Sequence, residues 1–73
     1  MSPIQRQCLD AMKLRRTAAT YVIKNTIRME GWDRTVTTPK VLRAMKSLEK
    51  MGFVERVTGS NRIYEVMYEW RLP

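Results

Sequence analysis

The chain has 73 residues, with 14 Lys and Arg against 7 Asp and Glu and a formal net charge of +7. This length allows one small hydrophobic core and leaves little room for a deep active-site cleft. The absence of His and the single Cys remove the usual general base, a disulfide within the chain and a thiolate zinc site. We therefore expect no enzyme activity, no metal site and no cofactor, and a polyanionic partner, nucleic acid first.

The sequence also bears on where the protein works. No apolar run approaches the roughly 20 residues that a membrane-spanning helix needs, and the first residues lack the apolar segment of a signal peptide. Paired cysteines are absent, which is typical of a reducing interior. We expect a soluble cytoplasmic protein, associated with the nucleoid, with no membrane partner.

Two helices are predicted in the first 30 residues. Ser2 and Pro3 form a cap and first-turn pair that opens a helix over about 3–14. Its apolar side is formed by Ile4, Cys8, Ala11 and Met12. Thr17 is the expected cap of a second helix over about 17–30, which ends near Gly31. Its buried side is formed by Ala19, Val22, Ile23 and Ile27.

Residues 31–36 have no amphipathic pattern and are predicted to be a loop, with Trp32 packed back on the core. A third helix is predicted over about 38–51, capped by Thr37 or Thr38 and ending near Gly52. Its apolar side is formed by Val41, Leu42, Met45 and Leu48. The opposite side carries a cationic stripe, defined as Lys40, Arg43, Ser47 and Lys50, with Lys46 at its edge.

After Gly52 the apolar period changes from that of a helix to that of strands. Residues 53–57 and 62–70 are rich in β-branched and aromatic residues, and they flank the turn sequence TGSN at 58–61. In the second run, one face is formed by Tyr64, Val66, Tyr68 and Trp70. We predict a β-hairpin over about 53–70.

The order of three helices and a hairpin is that of a winged helix, an α+β and mostly α fold, here one domain over 1–73. The stretch TTPKVLRAMKSLEKMGFVERV at 37–57 resembles the recognition-helix-to-wing segment of winged-helix repressors of the multiple-antibiotic-resistance and related types. The matching positions are Val41, Arg43, Met45, Leu48, Glu49, Gly52, Phe53, Val54 and Arg56. The opening stretch 3–12 is similar to the start of such domains. The second helix differs from theirs in its β-branched sequence TYVIKNTI, and the connection at 31–36 is longer than their turn.

This order predicts a third helix in the DNA major groove and a wing on the DNA backbone. A cationic helix face alone usually just faces solvent, but here it coincides with a capped third helix that leads into a hairpin. The expected base contacts are Lys40, Arg43 and Ser47. The expected backbone contacts are Thr37, Thr38, Lys50, Ser60, Asn61, Arg62 and Arg16. Further basic surface near the second helix is expected from Arg15, Arg16, Lys24 and Arg28.

The predicted function is therefore sequence-specific binding of double-stranded DNA by a small transcriptional regulator of phage or mobile-element type. The alternative is a winged-helix adaptor or inhibitor that binds an acidic protein without contacting DNA. A homodimer that uses the first helix or the aromatic end of the hairpin and a monomer that binds cooperatively are both compatible with the sequence.

Overall fold

The computed structural model describes residues 1–57 and 68–73, which form three helices and three short strands. In chain order these are α1 (Pro3–Arg15), β1 (Thr17–Ala19), α2 (Thr20–Met29), α3 (Thr38–Lys50), β2 (Glu55–Arg56) and β3 (Glu69–Arg71). The strands form one antiparallel sheet in the order β1-β3-β2. The expectation of a mostly helical α+β chain is confirmed.

The start of α1 is fixed by a capping box. The backbone N–H of Gln5 donates to Oγ of Ser2 at 3.3 Å, and the backbone N–H of Ser2 donates to Oε1 of Gln5 at 2.9 Å. Pro3 occupies the first helical position, where a missing N–H has no cost. Since these residues satisfy one another, the helix begins where the sequence predicts.

The ends of α2 and α3 are set by glycines with positive φ. Gly52 has φ +83°, its N–H donates to the carbonyl of Glu49, and the N–H of Phe53 donates to the carbonyl of Leu48, each at 3.0 Å. This pair of bonds is a Schellman motif, which satisfies two otherwise unpaired carbonyls. Gly31, with φ +76°, ends α2 in the same way.

The predicted start of the second helix at Thr17 is wrong. Thr17–Ala19 form strand β1, paired with Glu69–Arg71, and α2 begins only at Thr20. Arg16, the cap of α1, has φ 66° and ψ −47°, and this turn directs the chain into the strand. The pairing joins segments about 50 residues apart, and local propensity cannot reveal such a partner.

The sheet has a buried face and an exposed face. Ala18 lies opposite Trp70 across the β1–β3 pair, and both are buried. On the exposed face Glu55 lies opposite Arg71, and Arg71 Nε is 3.0 Å from Glu55 Oε2. The buried face packs on the three helices, so that one core joins helices and sheet.

The core agrees in part with the apolar sides predicted for the helices. Its helical members are Cys8, Ala11, Met12, Ile23, Ile27, Val41, Ala44, Met45 and Leu48. Ile4, Val22 and Leu42 are only partly buried, and Ala19 belongs to β1 and not to α2. Trp32, expected to pack on this core, instead leaves 39% of its surface exposed. Val36 is fully buried in the same loop, and its carbonyl accepts from Nε of Arg28 at 2.9 Å. The loop thus contributes Val36 to the core and leaves Trp32 partly exposed.

A buried hydrogen-bond network joins the start of α2 to the last strand. Trp70 is fully buried, and its Nε1 donates to Oγ1 of Thr20 at 2.8 Å. The Tyr68 carbonyl accepts from the backbone N–H of Thr20 at 3.0 Å and from its hydroxyl at 3.2 Å. Ala19 makes no side-chain capping hydrogen bond, so the Tyr68 carbonyl satisfies the first backbone N–H of α2 instead.

None of the helices in the described part of the chain is both long enough and apolar enough to cross a bilayer.

Replacement of Gly52 by Ala should destabilise the protein by about 1–2 kcal/mol, because a Cβ is strained at positive φ. No atom lies within 4 Å of the added Cβ, so the whole cost is conformational.

The substitution Arg16→Gly should have the opposite effect on the free energy of unfolding and stabilise the protein by up to about 1 kcal/mol. Urea denaturation measures the effects of Gly52→Ala and Arg16→Gly, with Arg16→Ala as the control that removes the charge but keeps the Cβ. Equal stability of Arg16→Gly and Arg16→Ala would contradict the strain at this cap.

Thr20→Val should destabilise the protein by about 1–3 kcal/mol, because the buried indole N–H of Trp70 loses its acceptor. Thr20→Ser keeps the hydroxyl and is the matched control, expected to cost less. A double-mutant cycle with Trp70→Phe should show the two positions coupled in thermal or urea unfolding. Additive effects would mean that the hydrogen bond contributes nothing to stability.

The buried thiol of Cys8 should make stability fall in alkaline solution. Burial raises the pKa of Cys8 from 9.0 to about 12. The unfolded chain therefore loses this proton near pH 9 while the folded chain keeps it, and ionisation favours unfolding as the pH rises. The unfolding free energy of the wild type relative to Cys8→Ala should drop by about 1 kcal/mol from pH 9 to pH 10. A difference independent of pH would show that the thiol ionises equally in both states.

Candidate nucleic-acid interface

The orientation of α3 follows from its buried side. Val41, Ala44, Met45 and Leu48 are buried against the rest of the core. At about 100° per residue, the positions most nearly opposite this side are Pro39, Arg43, Lys46 and Lys50, flanked by Lys40 and Ser47. Lys40, Arg43 and Lys50 are exposed, and Lys46 and Ser47 are half-buried. The cationic stripe therefore lies on the outward side of α3.

A groove of about 340 Å³ separates α3 from the first turn of α1. On the α3 side it is lined by Lys40, Arg43, Ala44 and Ser47, and on the α1 side by Ser2, Ile4 and Gln5. The structure thus brings three of the four stripe residues together around one depression. The α1 wall was not among the predicted site residues, and no local pattern in the sequence indicates it, because it depends on how α1 packs on α3.

A second depression of about 260 Å³ lies on the other side of α3. It is lined by Pro39, Leu42, Arg43 and Lys46. Arg43 belongs to both depressions, so it stands on the ridge between them. Lys46 was predicted only as an edge residue. A helical wheel centred on the observed buried side, which includes Ala44, places it near the middle of the outward side.

Local contacts distinguish the stripe residues from one another. The hydroxyl of Ser47 donates to the carbonyl of Arg43 at 3.2 Å, so its hydrogen is engaged within the helix. Lys40 lies near Asp33, a residue of the loop before α3. Hydrogen bonds from the side chain and backbone of Thr35 lower the pKa of Asp33, and the positive charge of Lys40 lowers it further.

The only carboxylate on α3 is held away from the stripe. Oε2 of Glu49 lies 3.5 Å from Nε of Arg56, on strand β2. The same guanidinium lies 4.7 Å from the ring centroid of Tyr68 and 5.9 Å from that of Trp70. Arg56 therefore binds Glu49 at the junction of α3 with the sheet.

The remaining predicted contacts are distributed unevenly. Thr37 is the exposed N-cap of α3 without a side-chain hydrogen bond to the helix, and Thr38 is its half-buried first residue. Arg16 follows the last residue of α1, about 20 Å of helix away from the groove, so it is not part of the same cluster. The predicted wing-tip contacts, Ser60, Asn61 and Arg62, lie outside the described residues.

Two arginines expected to add basic surface have structural contacts. Nε of Arg15 donates to Oγ1 of Thr26 at 3.1 Å, and Nε of Arg28 donates to the carbonyl of Val36 at 2.9 Å. These bonds join α1 to α2 and fasten the loop before α3. Part of the positive charge thus supports the fold.

In the ranges 1–57 and 68–73, no group of three or more His, Cys, Asp and Glu side chains is placed to hold a metal ion. No protein-family model, curated protein or solved structure matches this chain. Its function is therefore inferred from the chemistry of its own residues.

Proposed function

We propose that the protein binds double-stranded DNA in a sequence-specific manner and acts as a small transcriptional regulator of phage or mobile-element type. In this proposal α3 enters the major groove, with Lys40, Arg43 and Ser47 near base edges. Thr37, Thr38 and Lys50 hold the DNA backbone, and Arg16 and the segment with Ser60, Asn61 and Arg62 add further backbone contacts.

The observation that carries the proposal is the exposure of three cationic side chains on the outward side of α3. Lys40, Arg43 and Lys50 are exposed there, while Glu49 is bound to Arg56 at 3.5 Å. An exposed cationic helix face, whose one carboxylate is paired with an arginine elsewhere, is electrostatically complementary to a DNA groove lined by phosphates.

The order of elements supports the same function. Apart from the additional strand β1, the chain has three helices followed by the paired strands β2 and β3, which is the order expected of a winged helix. In that architecture the third helix is the recognition helix and the β2–β3 connection is the wing. Arg43 is the sixth residue of α3, in the half of such a helix that lies nearest to the bases.

Salt dependence of duplex binding tests the proposal. The wild type should bind a mixed-sequence duplex at about 50 mM salt, with log Kd rising by about five per tenfold increase in salt if five or six phosphates are neutralised. Lys50→Gln should weaken binding to all duplexes alike and reduce this slope by about one. Fluorescence anisotropy over a range of salt concentrations gives both values.

The matched control is Lys13→Gln, which removes the same charge from an exposed position on α1, where Lys13 lies 4.0 Å from Asp10. Its effect on the slope should be smaller than that of Lys50→Gln. Failure of the wild type to bind duplex DNA at low salt would overturn the proposal and favour an acidic protein as the partner. Equal effects of the two variants would remove Lys50 from the interface.

A further inference from the structure

We propose that Arg43 reads guanine, so that the DNA target contains a guanine at the centre of the major-groove contact. This inference rests on the proposed function and names the kind of base that the same face selects. It follows from which hydrogen-bonding groups the described residues present on the outward side of α3.

The exposed charged side chains on the outward side of α3 are hydrogen-bond donors. Lys40, Arg43 and Lys50 have donors and no acceptors. Asn and Gln, whose amides combine a donor with an acceptor, are absent from residues 38–50. The one carboxylate of α3, on Glu49, is bound to Arg56.

Each base presents a different set of groups in the major groove. Guanine offers two acceptors, O6 and N7, whereas adenine offers one acceptor and one donor, and cytosine offers a donor. A side chain with parallel donors and no acceptor therefore matches guanine best. A guanidinium can donate to both guanine acceptors at once, which a lysine ammonium does with less defined geometry.

The position of Arg43 distinguishes it from Lys40 and Lys50, the other two exposed cations of α3. It lines both depressions of α3, with Ala44 and Ser47 on one side and Pro39 and Leu42 on the other. Lys40 lies toward α1 and Asp33, and Lys50 lies in the last turn of the helix. Arg43 therefore lies at the centre of the ridge, which would enter the DNA major groove first.

Ser47 does not alter this preference. Its hydroxyl hydrogen donates to the carbonyl of Arg43, and its side chain lies in the groove beside α1 and not on the ridge. Ser47 therefore presents no donor–acceptor pair that would favour adenine at the central position.

Selection from a random duplex pool tests the inference. The wild type should enrich a guanine at one central position, and 7-deazaguanine there should weaken binding about tenfold because the N7 acceptor is lost. Arg43→Gln should weaken binding to the selected site by roughly 5- to 100-fold and shift the preferred base toward adenine, which an amide reads. Lys13→Gln is the control and should keep the guanine preference. Circular dichroism should show all variants folded, since the side chain of Arg43 is exposed.

The outcomes separate this inference from the function on which it depends. Binding of duplex DNA with no base preference, or with a preference for A·T pairs, would overturn the guanine assignment and leave DNA binding in place. A guanine preference that survives Arg43→Gln would assign the guanine contact to another residue and overturn the role of Arg43. Failure to bind any duplex would overturn both proposals.

Discussion

Trp70 lies on the central strand of the sheet, fully buried, and its indole N–H donates to the hydroxyl of Thr20 at the start of α2. Because β3 pairs with both β1 and β2, the last residues of the chain hold the segment after α1 and the segment after α3 in one sheet. A chain of this size has a small free energy of unfolding, so one large buried side chain whose polar atom is hydrogen-bonded contributes a large fraction of it.

The same strand influences the candidate site at a distance. Arg56 lies opposite Trp70 in the sheet, and its guanidinium contacts the Tyr68 ring while it pairs with Glu49 of α3. The aromatic rings thus hold the cation that neutralises the only carboxylate of α3. The sheet thus contributes to the charge balance of α3, on which the proposed function depends.

The net charge of +7 did not by itself indicate an interface. Four arginines have defined partners within the described residues: Arg15 with Thr26, Arg28 with Val36, and Arg56 and Arg71 with glutamates. These contacts join helices, loop and sheet. On α3, by contrast, Lys40, Arg43 and Lys50 are exposed on one side of a single helix, so the arrangement of the cations carries more functional information than their number.

The sequence alone determined α1 and α3, because their signals are local. The Ser2–Pro3 opening, the Pro39–Gly52 limits and the apolar period of α3 each involve residues within a few turns of one another. From them the cationic stripe could be located. Tertiary structure alone decided that Thr17–Ala19 would form a strand, that Val36 rather than Trp32 would cover the core, and that α1 would wall the groove. The partners in those contacts are distant in sequence, and no pattern in one segment reveals the other.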